Sequence, residues 1–128
     1  MLARLFKAKT PEPIPYETAR DTAQSIDPAA RMRLAIRADT HKEVLYYLAA
    51  DAESPVRRAI AANEAPPVQA NALLAADADE EVRAALARKV GRLLPGLEPD
   101  QTEKIRDLAL RTLQMLAQDQ MPRVRAAL

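Results

Sequence analysis

The chain has 128 residues, of which 48% are hydrophobic but only 3% aromatic, and none is cysteine. Its 19 basic and 18 acidic side chains leave a formal charge of +1, so the overall balance selects neither a nucleic acid nor a membrane surface. Disulfides and thiolate metal or cluster sites are excluded. The core must come from Ala, Leu, Val and Ile, and with helix formers outweighing β-branched and aromatic residues the composition predicts an all-α domain.

Residues 1–15 are expected to stand apart from that domain. Met1, Leu2, Leu5 and Phe6 with Arg4, Lys7 and Lys9 make a weakly amphipathic, basic segment. Such a segment either touches a membrane or partner, or is disordered, or folds back on the first repeat. It is too short for a secretory signal, and no stretch reaches the length of a membrane span, so cytoplasmic residence is the default. Pro11 to Pro15 forms a stiff extended linker.

From Tyr16 onward, short helices are expected in pairs. Asp27 before Pro28 and Ser54 before Pro55 read as cap-then-proline starts for second helices. Thr40 with Glu43 has capping-box spacing, and Pro66-Pro67 is a rigid start, for first helices. Tyr46 and Tyr47 are adjacent, so one helix face cannot bury both. Tyr47 shares its register with Leu73 and Met115 and is expected in the core, leaving Tyr46 as the exposed aromatic, either a candidate contact residue or a ring shielded over a neighbouring turn.

A single register unites these pieces. Val56-Arg57-Arg58-Ala59-Ile60-Ala61 aligns with Val82-Arg83-Ala84-Ala85-Leu86-Ala87 at a spacing of 26, and the same step back reaches Ala30-Arg31-Met32-Arg33-Leu34-Ala35. Leu48-Ala49-Ala50-Asp51 aligns with Leu74-Ala75-Ala76-Asp77 at the same spacing. Leu116-Ala117-Gln118-Asp119 and Val124-Arg125-Ala126-Ala127-Leu128 follow 42 residues after their predecessors, so about 16 residues are inserted. The insert carries the helix breakers Gly91, Pro95, Gly96 and Pro99. A longer helix over 100–118 should then open at Asp100, with Glu103 in capping-box spacing and Ile105, Leu108, Ala109, Thr112, Leu113 and Leu116 on one face. Helices this short are marginal alone. Stacking must hold them, with Leu34, Ile60, Leu86 and Leu128 in one apolar column and Leu48, Leu74 and Leu116 in another.

Asp51/Val56/Arg57, Asp77/Val82/Arg83 and Asp119/Val124/Arg125 repeat one pattern, which resembles the HEAT repeat. That resemblance implies a right-handed α-solenoid of short helix pairs over 16–128, with Asp and Arg forming a ladder along the stacked turns. The 26-residue period is shorter than the roughly 40 of HEAT units, and Leu-Ala-x-Asp with Val-Arg-x-x-Leu-Ala looks more like the leucine-rich-repeat variant, which is all-helical. The run from Tyr16 through Tyr46-Tyr47-Leu48-Ala49, Arg57 to Asn63, Ala87 to Pro95 and Asp119-Gln120 to Leu128 is similar to a bacterial family of uncharacterised proteins built on such repeats. The variant repeat has been associated with an iron–sulfur cluster held by cysteines outside the repeats; with no cysteine here, no cofactor is implied. Leu128 falls one turn into an expected helix without the polar cap of a terminal repeat, which reads as the N-terminal part of a longer array.

The residues offer little chemistry. His41 is the single histidine and reads as a solvated turn residue, with no further metal ligands at suitable spacing. Ser25 and Ser54 are the only serines, and no nucleophilic triad can be assembled, so no enzyme is expected. Asp51, Asp77 and Asp119 also read as an acidic row for catalysis or a cation, but an arginine at a fixed offset from each favours the structural ladder. Arg88, Lys89 and Arg92 are the densest basic cluster, and with Arg58, Arg33 and Arg37 they are expected either to line one face for an acidic partner or to be a solvated face balanced by Asp79, Glu80 and Glu81. The leading expectation is a non-catalytic scaffold that binds an unknown protein on its concave face, and the alternative is nucleic-acid binding by a basic groove of the same face. Missing aromatic residues in these segments argue against single-strand stacking.

Overall fold

The computed structural model describes residues 12–93 and 103–128. Among them are eight helices and no strand: α1 (Tyr16–Ala23), α2 (Pro28–Ala35), α3 (Lys42–Leu48), α4 (Ser54–Ala62), α5 (Val68–Leu74), α6 (Glu80–Leu93), α7 (Glu103–Ala117) and α8 (Pro122–Ala126). The protein is all-α. The helices fall into two rows: α1, α3, α5 and α7 each pack on the next of that series, and α2, α4, α6 and α8 do the same. The core lies between the rows.

The leucine columns explain the rows. Leu48, Leu74 and Leu116 are fully buried in first helices, and Leu34, Ile60 and Leu86 are buried in second helices. Each contributes about 1.5–3 kcal/mol relative to exposure, which offsets the marginal stability of seven- to nine-residue helices. Leu128, expected in the second column, remains 39% exposed. Alanines such as Ala35, Ala61 and Ala87 recur between the large residues and are fully buried, so neighbouring backbones approach closely.

Helix starts follow a register that is offset by one residue from part of the sequence reading. Asp27 caps α2, its Oδ1 accepting from the Ala29 N–H at 3.0 Å, and Asp79 does the same for the Glu81 N–H at 2.9 Å. The equivalent position in the intervening unit is Glu53, not Ser54. Ser54 therefore lies inside α4, which has no side-chain cap. The Thr40/Glu43 capping box also does not form. The buried Thr40 hydroxyl donates to the Leu34 carbonyl at 2.8 Å, satisfying an orphan acceptor at the end of α2, while Glu43 accepts from the Tyr16 hydroxyl at 2.9 Å.

Gly91 does not break α6, which runs on to Leu93. A Cβ at Gly91 would lie 3.0 Å from the Leu128 carbonyl carbon, so the glycine permits a close backbone approach, and one glycine costs a helix only about 1 kcal/mol. Pro95, Gly96, Pro99 and the helix start at Asp100 lie outside the described residues. Along α7 the expected face points inward: Thr112 and Leu116 are buried and Ile105, Leu108, Ala109 and Leu113 partly so.

Candidate functional site: polar ties and an exposed apolar stripe

Three bidentate rungs connect successive helix pairs. The Arg31 Nε donates to Asp51 at 2.8 Å, Arg57 to Asp77 at 2.7 Å and Arg83 to Asp119 at 2.7 Å, each with a second bond from Nη2. Each arginine thus takes the aspartate of the following unit, not the one six residues before it. From that nearer position it takes the backbone carbonyl: Nη1 donates to Ser25, Asp51, Asp77 and, for Arg125, Asp119. The aspartates also accept from the amide two residues ahead, which shapes each turn. The repeated Asp-to-Arg offset therefore reports a shared turn, while the ion pair crosses between units. Arg31 belongs to this set and was missed as a ladder residue, although stepping 26 back from Arg57 reaches it.

These carboxylates are engaged on every side, which leaves them little capacity for acid–base work. Their side chains are only 4–8% exposed. Burial pushes the Asp119 carboxyl up, but hydrogen bonds from Arg83 and the Met121 amide outweigh it and hold the group below its ordinary range. Arg57 is raised by its hydrogen bond to Asp77. Among the described residues no group of three or more His, Cys, Asp or Glu is placed to hold a metal ion. His41 sits before α3 with its ring 5.3 Å from that of Tyr16, edge to face.

A second set of ties lies at the opposite ends of the second helices, in the column Arg37, Asn63 and Lys89. The Asn63 Nδ2 donates to the carbonyls of Ala35 and Arg37, both at 2.9 Å. The Lys89 ammonium nitrogen reaches Ile60 O at 3.2 Å and Asn63 O at 2.8 Å. Arg37 donates to Glu12 O at 2.8 Å and pairs with Asp39. Each side chain bonds backbone carbonyls of the preceding segment, and those met by Asn63 and Lys89 lie at or just past a helix C-terminus.

This corrects the reading of Lys89 as part of an exposed basic cluster. Lys89 is 1% exposed, because a carbonyl-lined end of α4 receives it inside the protein. Its remaining neighbours in that cluster are on the surface. Arg92 lies 3.6 Å from Glu64 and Arg58 3.8 Å from Glu81. Glu81 is also gripped by both terminal nitrogens of Arg123, whose hydrogen bond lowers the Glu81 carboxyl. Arg88 is exposed. The second-helix face is therefore mixed in charge.

The first-helix row presents a different surface. Tyr47 is 54% exposed, against the expectation that it is core, and Leu73 and Met115 in its column are also about half exposed. Val44, Leu45 and Leu48 define the inward face of α3, and at about 100° per residue Tyr47 stands roughly 100° from its middle. Tyr46, 43% exposed, points further away. Tyr46, Tyr47 and Leu73 border a shallow groove of about 530 Å³ that ends on Arg31 and Asp51. Two units along, Met115 borders a hollow of about 550 Å³ that ends on Arg83 and Asp119. No helix among the described residues is long and apolar enough to cross a membrane. No family model, curated protein or solved structure matches the chain.

Proposed function

We propose that the chain is a non-catalytic protein-interaction scaffold of the cytoplasm, a right-handed α-solenoid of short HEAT-like helix pairs whose contact surface is the outward face of the first helices. The observation that carries this reading is the exposed stripe of Tyr46, Tyr47, Leu73 and Met115 across α3, α5 and α7. Helix α5 has no charged residue, so the centre of the stripe is uncharged. Taking about 200 Å² for each large side chain, its half-exposed members offer on the order of 400 Å² of surface. That is the size of a functional patch on a monomer and about half of one side of a standard interface. Regular spacing of apolar groups suits an apolar segment of a partner lying across the helices.

The two rows and the unit-to-unit ties support the solenoid reading, since each helix packs mainly on its neighbours in the register. Nucleic-acid binding by a basic groove has less behind it. Lys89 is inside, Arg92 and Arg58 face carboxylates, and Arg123 is paired.

The test is photocrosslinking from position 73. A chain carrying a benzophenone side chain in place of Leu73 should capture a discrete protein that Tyr47→Asp abolishes and that Arg88→Glu with Arg92→Glu leaves in place. Loss with the arginine pair alone would overturn the proposed face, and strong salt-sensitive retention on heparin would move the reading to nucleic acid.

A further inference from the structure

Two polar ties hold α4 against α6, at opposite ends of the pair. One is the Arg57–Asp77 rung. The other is Lys89, whose nitrogen is buried against two carbonyls at the C-terminal end of α4, that of Ile60 in its last turn and that of the capping residue Asn63. The junction between α2 and α4 has the same plan, with the Arg31–Asp51 rung at one end and the Asn63 amide at the other. The two junctions differ in one respect: the second tie is a neutral amide in one and a titratable amine in the other.

The number of acceptors decides which form of Lys89 fits. Among the described residues it meets two carbonyls, and a neutral amine has two N–H donors, while an ammonium has three. The charged form therefore brings a third donor and a full charge into a site that is 1% exposed. The partial negative charge at the end of α4 favours the ammonium, and burial opposes it.

We propose that the α4–α6 junction is a proton-sensitive hinge, closed by Lys89 as the neutral amine and loosened when Lys89 takes a proton. Among the described residues the charges acting on Lys89 are Arg92, on its own helix, and Glu64, after α4; these two lie 3.6 Å apart and partly offset each other. The arginines of α4 are committed at its other end, Arg57 to Asp77 and Arg58 towards Glu81. On α8, Arg123 is taken by Glu81, and Arg125 by the Asp119 carbonyl. Helix α5 contributes no charge, and those of α7, Glu103, Lys104, Arg106, Asp107 and Arg111, are all exposed. Burial first, then Arg92, lowers the group from 10.5 to about 7, which places the transition near neutrality.

The direction follows from linkage. Between about pH 7 and 10.5 the open junction binds a proton that the closed one lacks, so closure strengthens as pH rises through that window and is weakest below it. The Asn63 amide does not titrate, so the tie between α2 and α4 has no pH dependence of its own over this window. A protein with only five lysines allows direct observation. The Lys89 side-chain carbon signal, assigned by its loss in Lys89→Asn, should titrate with a midpoint between about 6 and 8. Amide protection at the end of α4, corrected for intrinsic exchange, should fall by roughly tenfold or more from pH 9 to pH 7, while the end of α2 holds constant. Lys89→Asn, which copies the neighbouring tie, and Lys89→Met should both remove that dependence. A midpoint above 9.5, equal loss at both helix ends, or persistence of the change in these variants would overturn the hinge; the titration of the unmodified chain decides even if the variants fold poorly.

Discussion

Arg57 closes on Asp77 of the following helix pair at 2.7 Å, while the aspartate of its own turn, Asp51, is held by Arg31. The rung is thus an inter-unit bond, and its backbone hook to Asp51 O fixes the guanidinium before the partner arrives. A bidentate pair on a partly buried, pre-positioned arginine is stronger than a surface ion pair, whose median contribution is below 1 kcal/mol.

Arg83→Ala should therefore destabilise the fold by about 2–4 kcal/mol, because it leaves the 8%-exposed Asp119 carboxylate unpaired inside. Arg125→Ala, whose side chain is exposed and hooks only a carbonyl, should cost less than about 1 kcal/mol. Urea unfolding of both variants checks this. Equal losses would remove the special standing of the inter-unit bond.

Acid should act through the same rungs. The folded Asp119 carboxyl is held low, so at neutral pH its pairing contributes stability that is fully present above the unfolded value near 3.8 and is lost as pH falls through the lower folded value. Thermal melts of the unmodified chain and Asp119→Asn should converge as the pH drops from 5 towards 2. Parallel curves over that range would show that the carboxylate has no part in acid sensitivity.

Leu73 and Leu74 are adjacent but do opposite work. Leu74 is fully buried and Leu73 48% exposed. Leu74→Ala should cost about 2–5 kcal/mol through the cavity it leaves, whereas Leu73→Ala should change stability by no more than about 0.5 kcal/mol. If Leu73→Ala proves as damaging as Leu74→Ala in chemical denaturation, the stripe is part of the core and not a free face.

The helical class and the buried columns were legible because Leu48, Leu74 and Leu116 repeat at the spacing that stacking requires. The facing of Tyr47 was not: a seven-residue helix has two flanks, and a 26-residue register shows which residues share a column without showing which way it points. Arg31 was legible by the register and overlooked because Ser25 replaces the aspartate that marks the other units. Lys89 was misread because charge suggested a surface. Its register mate Asn63 carried the missing signal, since a column holding Arg, Asn and Lys has hydrogen-bond donation in common and not charge.

The same register singles out Asn71. Its mates are Leu45, fully buried, and Leu113, packed against the core, so an amide occupies a position its neighbours fill with leucine. Among the described residues the buried Asn71 Oδ1 has no hydrogen-bond donor, and a buried acceptor left without a partner costs about 1–3 kcal/mol. Leucine has the same branched skeleton with larger ends, and the position is only half-buried, so Asn71→Leu should bring the column into agreement at a small steric cost. The expected result is a gain of about 1 kcal/mol in urea unfolding with an unchanged slope. A loss of stability would mean that the Asn71 amide is bonded and that the break in the leucine column is a working contact.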